Sequence, residues 1–142
     1  MAKGAEIPAR IVERLRTICV QLPESREEPA WTGTRWRIGT HTFAHVVAIA
    51  EGWPPAYARA AGTDGPAFVL TFQSSGEELH ALSNVGDPYF RPPWRPGIVG
   101  MVVDAETTDW NEVAELVTES YCLLAPQRLA SRVPRPPDND AS

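Results

Sequence analysis

Apolar residues near the start of the chain recur at helical spacing. Ile11, Leu15 and Ile18 repeat at intervals of three and four after Pro8, a position in a first turn where helices tolerate proline. This pattern predicts an amphipathic helix that ends before Pro23.

Alternation of apolar and polar residues then indicates a β-hairpin. Alternation covers 35–38, a Gly-Thr turn follows, and a β-rich run covers 41–50. The first strand directs Arg35 and Arg37 to solvent. The second strand is expected to place four residues on one face: Phe43, His45, Val47 and Ile49.

The second half of the chain contains two further strands and three helices. Apolar runs at 67–73 and 98–104 predict strands, and Ser75 is positioned to cap a short helix that reaches residue 84. Asp109 is positioned to cap the longest helix, and Pro126 begins a last short helix that ends near residue 133.

Two segments rich in Pro and Gly interrupt these elements. Residues 51–66 have no sustained period and predict a long loop or a poorly ordered excursion. Residues 87–97 contain four prolines and are not expected to form regular structure.

The predicted order of elements is α β β β α β α α. Strands that cluster early and a long helix near the end favour an α+β fold, with a single, mainly antiparallel sheet of at least four strands packed against helices. We expect one domain over 1–133 and a disordered tail over 134–142.

The charge of the chain is acidic and unevenly placed. Its 142 residues contain 13 Lys and Arg against 18 Asp and Glu, and residues 104–120 carry six acids and no base. The sequence therefore lacks the overall basic character of many nucleic-acid-binding domains. Two cysteines fit a reduced, cytoplasmic setting, and the absence of a long apolar run predicts no membrane partner.

Familiar catalytic and metal-binding patterns are missing from the sequence. His41 and His45 would stand about 13 Å apart along a strand, and neither cysteine has a Cys-x-x-Cys partner. No nucleophile elbow or glycine-rich phosphate loop occurs. The sequence predicts no catalytic residue, metal or cofactor; it leaves the question of an enzyme open and favours a non-enzymatic protein.

The proline-rich loop at 89–96 combines three aromatic residues with two arginines. Such a mixture suits base stacking or contact with an aromatic ligand. The alternative is that the rings fold back as a lid over the sheet edge while the arginines face solvent.

Several motifs together resemble the MmcQ/YjbR family. They comprise Leu-Pro-Glu-Ser-Arg-Glu-Glu at 22–28, Trp-Arg-Ile-Gly at 36–39, the approach to the last strand at 94–103, and the ordered elements D-W-x-E-V, S-Y and A-P-x-x-L between 109 and 129. The resemblance covers about residues 8–133. It implies a compact α+β fold similar to bacterial frataxin-like and secretion-chaperone-like domains, and it carries a DNA-binding label with a double-wing arrangement but no catalytic residues.

Two functions follow as expectations. The first is a non-enzymatic, cytoplasmic domain that contacts DNA, and the second is a module that binds a protein or a small ligand with its aromatic loop and sheet face. The candidate contact residues for nucleic acid or ligand are Arg35, Arg37, Tyr89, Arg91, Trp94, Arg95, Arg128 and Arg132.

Overall fold

A computed structural model describes residues 6–134 of the chain. The predicted disordered tail, apart from Pro134, lies outside the described residues. The helices are α1 (Ala9–Cys19), α2 (Pro55–Ala61), α3 (Gly76–Asn84), α4 (Trp110–Leu124) and α5 (Gln127–Ala130), and the strands are β1 (Arg26–Pro29), β2 (Thr34–Ile38), β3 (His41–Ile49), β4 (Ala67–Gln73), β5 (Tyr89–Phe90) and β6 (Ile98–Val103).

The strands form one antiparallel sheet in the order β1-β2-β3-β4-β6-β5. The predicted α+β class and element order are confirmed, with β1, α2 and β5 as additions. Helices α1 and α4 cover one face of the sheet, which we call the helix face, whereas α2 lies on the opposite face. We call that opposite face the cleft face.

The helix face contains the larger core, and α4 is its centre. Val113, Val117 and Tyr121 of α4 are fully buried, and Asp109 caps the helix as predicted by accepting hydrogen bonds from two backbone N–H groups. The Tyr121 hydroxyl donates to the carbonyl of Pro23 at 2.7 Å. A long-range hydrogen bond therefore fixes α4 to the segment that follows α1.

Ser120 ties α4 to two strands at once. Its hydroxyl donates to the carbonyl of Phe43 at 2.7 Å and accepts from the N–H of Gln73 at 2.9 Å. The serine is fully buried, so both backbone groups depend on this side chain rather than on water.

A β-bulge overturns the expectation that Phe43 shares a face with His45. Trp36 pairs with Ala44 and Arg37 pairs with Thr42, which leaves Phe43 as the extra residue on β3. The bulge turns the Phe43 ring towards Tyr121 on the helix face, with ring centroids 5.4 Å apart.

The two predicted loops both contain regular structure. Residues 51–66 include α2, which starts with proline at its first position and ends at Gly62 in the left-handed conformation. Residues 87–97 include β5, which pairs with β6. Both predictions of irregular structure were wrong in these parts, because packing against the sheet outweighs the local effect of proline.

The cap of α3 also differs from the prediction. Ser75 holds the N-cap position, but its side chain makes no capping hydrogen bond. The hydroxyl of the preceding residue, Ser74, donates instead to the carboxylate of Glu78. Across the described part of the chain, no helix has both the length and the hydropathy to cross a membrane.

Candidate binding cleft

A cleft of about 180 Å³ opens on the cleft face of the sheet, beside α2. Its walls include Trp31, from the turn between β1 and β2, and Trp94, from the loop between β5 and β6. These two rings are 69% and 44% exposed, although large apolar side chains are usually covered. Each ring has an aromatic neighbour: Trp53 lies 5.8 Å from Trp31 and Tyr57 lies 4.9 Å from Trp94, centroid to centroid.

The local backbone explains how these rings reach the cleft. Gly33 adopts a positive φ of 77°, and a Cβ at this position would overlap the backbone carbonyl of Val46. Glycine thus lets the turn that carries Trp31 lie directly against β3. On β6, Gly100 similarly leaves room for the ring of Phe90, which precedes the loop that carries Trp94.

The floor of the cleft contains a buried histidine. His45 Nε2 lies 2.8 Å from the carbonyl oxygen of Thr32, and His45 Nδ1 lies 3.4 Å from the hydroxyl of Tyr57. Because a carbonyl only accepts, Nε2 carries the proton and Nδ1 accepts from Tyr57. Burial lowers the pKa of His45 below its ordinary value, and the charge of Arg35 lowers it further. His45 is therefore neutral at pH 7.

An arginine cluster borders the cleft on β1 and β2. Arg35 donates two hydrogen bonds to Glu28, at 2.7 and 3.1 Å, and Arg37 and Arg26 lie 3.6 and 3.8 Å from the same carboxylate. The hydrogen bond from Arg35, followed by the charges of all three arginines, holds the pKa of Glu28 below its usual range. Three guanidinium groups around one carboxylate leave this edge of the sheet positively charged.

Arg95 adds a fourth guanidinium from the other side of the cleft. It lines the cleft with Trp94, is exposed, and forms no ion pair or hydrogen bond within residues 6–134. The six acids of 104–120 belong to α4 and the segment that leads into it, and α4 packs on the helix face. The sheet thus separates α4 and its acids from the cleft.

The structure brings together only some of the candidate contact residues. Arg35, Trp94 and Arg95 line the cleft, and Arg37 lies beside it in the arginine cluster. Tyr89 is buried in the core of the helix face.

The other arginines among the candidates lie elsewhere. Arg91 donates to the carbonyl of Ile98 and to the hydroxyl of Ser83, and so fixes its loop to the sheet and to α3. Arg128 pairs with Glu24 at 3.5 Å, and Arg132 is exposed after α5.

Sequence reasoning missed five important residues of the cleft. They are Trp31, Thr42, His45, Tyr57 and Thr71. The sequence pattern does not predict the β1–β2 turn that carries Trp31, and it predicts a loop where α2 carries Tyr57. Alternation on β3 did place His45 on a face of its own strand, but no signal in the sequence brought these segments together.

The lining of the cleft supplies three kinds of chemical group. Its lining offers aromatic faces, two guanidinium groups and hydroxyls, with no serine or cysteine nucleophile. Cys19 is fully buried in the other core, where burial raises the pKa of its thiol. Within residues 6–134, no group of three or more His, Cys, Asp or Glu side chains is placed to hold a metal ion.

The fold and the cleft together define an α+β domain with a single sheet. Helices cover one face of the sheet, and a cleft lined by aromatic side chains opens on the other. A comparison with family models identifies the YjbR family over residues 20–123. The chain belongs to the YjbR family, as its motifs suggested. No curated protein matches the chain.

Proposed function

We propose that this chain is a non-enzymatic, cytoplasmic DNA-binding protein that takes an unpaired base of a single strand into its cleft. The observation that carries this proposal is the convergence of Trp31 and Trp94, both exposed, with Arg35 and Arg95 in one cleft. Aromatic faces interleaved with arginine are the features that single-strand-binding surfaces use.

Stacking and phosphate contacts would have separate sources. The indole of Trp94 or Trp31 supplies a face for a base, and Arg95 and the arginine cluster supply charges for neighbouring phosphates. A base inside a duplex has both faces covered by its neighbours, so the cleft requires a single strand. The net charge of −5 does not oppose this, because the acids of α4 lie on the helix face.

A fluorescence titration tests the proposal. The intrinsic tryptophan signal is followed with a short mixed-sequence single strand, its duplex and a free nucleoside monophosphate, at about 50 and about 200 mM salt. Contacts to three phosphates give a slope of about −2 in log K against log salt. Raising the salt from about 50 to about 200 mM should therefore lower the affinity for the single strand about 20-fold. No binding of the strand at about 100 μM in the lower salt would overturn the proposal.

Three other outcomes would also contradict it. A nucleotide that binds as tightly as the strand would assign the cleft to a small ligand, and salt-insensitive binding would favour the protein-interaction or small-ligand module. A duplex that binds as tightly as the strand would exclude base insertion.

A matched pair of variants locates the binding. Trp94→Ala should weaken single-strand binding by about 5- to 150-fold, as expected for one lost stacking contact. Leu123→Ala is the control, because Leu123 is also 44% exposed but lies on α4, away from the cleft. Equal effects of the two substitutions would remove the cleft as the binding site.

A further inference from the structure

The indole of Trp94 lies edge-to-face against a buried ring. Among the described residues, the aromatic ring that it contacts is that of Tyr57 on α2, with centroids 4.9 Å apart and planes inclined at 61°. This geometry is one in which aromatic pairs attract each other. The loop around Trp94 contains three prolines between residues 92 and 96 and forms no strand there. The contact with Tyr57 therefore has a large share in fixing the orientation of the indole.

Tyr57 itself is firmly held. Its side chain is 8% exposed and belongs to the cluster of buried residues that includes Val47, Ile49 and Val69. Its hydroxyl lies 3.4 Å from Nδ1 of His45, which is long for a hydrogen bond, so packing contributes more than this bond to holding the ring. A ring that is so buried offers little surface on which a base could stack. Any effect of Tyr57 on binding would therefore pass through Trp94.

Trp31 has a different support. Its ring contacts Trp53, with centroids 5.8 Å apart and planes inclined at 74°. Trp53 is half-buried, and its backbone N–H and carbonyl both form hydrogen bonds with Ala50 at 3.0 Å. The two exposed indoles of the cleft are thus backed by different rings, which allows the two supports to be tested separately.

We propose that Tyr57 is a positioning residue that holds Trp94 in the orientation for stacking on a base, an inference that rests on the proposed single-strand function. An indole that is already held in the free protein loses little freedom when a base stacks on it. An unsupported indole must be ordered during binding, and this lowers the affinity. The cost of ordering one such side chain corresponds to an affinity loss of about 2- to 12-fold.

Two substitutions of the same residue test the role of its ring, with the affinity for a labelled mixed-sequence single strand read as fluorescence anisotropy. Tyr57→Leu removes the ring but keeps an apolar side chain, and should weaken binding about 2- to 12-fold. Tyr57→Phe keeps the ring and should bind about as tightly as the wild-type protein. Val113→Ala controls for a general loss of stability, because Val113 is fully buried on the helix face, and should leave the affinity unchanged.

The outcomes separate this inference from the proposed function. Wild-type affinity in Tyr57→Leu, or equal losses in Tyr57→Leu and Tyr57→Phe, would overturn the positioning role and leave the proposed function intact. No binding of the strand by the wild-type protein would overturn both.

A double-mutant cycle shows whether Tyr57 acts through Trp94. In a Trp94→Ala background, Tyr57→Leu should cause no further loss of affinity, because the ring that it positions is already absent. In a Trp31→Ala background, Tyr57→Leu should have its full effect, because Trp31 rests on Trp53. Losses that add in the Trp94→Ala background would mean that Tyr57 contacts the strand itself and would contradict the positioning role.

A measurement on the wild-type protein needs no folded variant. Nuclear Overhauser effects between the ring protons of Tyr57 and the indole protons of Trp94 are expected in the free protein and again with the strand bound. Their absence from the free protein would overturn the inference, even if circular dichroism shows that Tyr57→Leu does not fold.

Discussion

The two faces of the sheet differ in how completely their side chains are used. On the helix face, the rings of Phe43 and Tyr121 are fully buried and contact each other. Hydrogen bonds from α4 to the carbonyls of Phe43 and Pro23 hold the helix against the sheet and the segment after α1. On the cleft face, α2 covers only part of the sheet, and Trp31 and Trp94 remain exposed. The comparison shows that the larger core lies on the helix face, whereas the cleft face has a smaller core and remains only partly covered.

Acidic and basic residues are divided between the two faces of the sheet in the same way. The acids of α4 belong to the layer on the helix face, whereas three arginines surround Glu28 beside the cleft and Arg95 stands unpaired across it. A net acidic chain can therefore present a locally basic surface. Substitutions on the two faces of the sheet test this division.

The largest difference should appear in stability. Phe43→Ala removes a fully buried ring in contact with Tyr121 and should lower the free energy of unfolding by about 3–5 kcal/mol. Trp94→Ala should cost no more than about 1 kcal/mol, because the ring is 44% exposed. Urea denaturation measures both. If Trp94→Ala destabilises the protein as much as Phe43→Ala does, the cleft face is part of the core and the division is wrong.

The link between α4 and the sheet should have an intermediate effect. Ser120→Ala leaves the carbonyl of Phe43 and the N–H of Gln73 without their buried partner and should cost about 1–3 kcal/mol. Ser131→Ala is the control, since Ser131 is exposed, and should change stability by no more than about 0.5 kcal/mol. Thermal unfolding of both variants decides whether the hydroxyl is structural; equal melting temperatures would argue against it.

The buried histidine should make stability depend on pH. Because the pKa of His45 is lowered in the folded protein, the unfolded chain takes up a proton first as the pH falls below about 6.5. Stability is therefore fully present above that pH and declines towards the lower folded pKa. His45→Gln should flatten this decline in denaturation curves measured from neutral to mildly acidic pH.

The control for the histidine is His80→Gln, since His80 lies on the exposed surface of α3. This variant should retain the decline of the wild-type protein. A decline that persists in His45→Gln and disappears in His80→Gln would contradict the role of His45.

The smallest effect is a change in salt dependence. Arg95→Gln removes one exposed charge at the cleft and should reduce the slope of log K against log salt by about 0.7 for a single strand, with stability unchanged within about 0.5 kcal/mol. Arg10→Gln is the control, because Arg10 is exposed and pairs with Glu106 away from the cleft. Equal slopes in the two variants would exclude Arg95 as a phosphate contact.

Local sequence patterns predict the helices and strands in which the spacing of apolar residues agrees with the buried face of the element. The spacing of apolar residues in α1 and α4, the alternation on β2, and the cap at Asp109 all agree with the structure. These features depend on neighbours in the sequence, and so a single sequence contains enough information to identify them.

The cleft could be predicted only in part, because it depends on contacts between distant segments. The bulge at Phe43 changes which side chains of β3 share a face, and no residue in the strand marks it in advance. Helix α2 is short, with Pro54 just before it and Pro55 as its first residue, so its local sequence resembles a loop although the helix packs on Val47 and Val69. Trp31 and Trp94 line the same cleft only because the sheet brings the β1–β2 turn and the β5–β6 loop close together.

The most direct test of the proposed cleft is nuclear magnetic resonance of the five tryptophan indoles during titration with a single strand. Each indole N–H gives a separate signal, which Trp→Phe variants assign. The signals of Trp31 and Trp94 should shift with the strand, whereas those of Trp36 and Trp110, which belong to the helix-face core, should stay in place. Shifts confined to Trp36 and Trp110, or no shift at any indole when the strand is in excess, would contradict binding in the cleft.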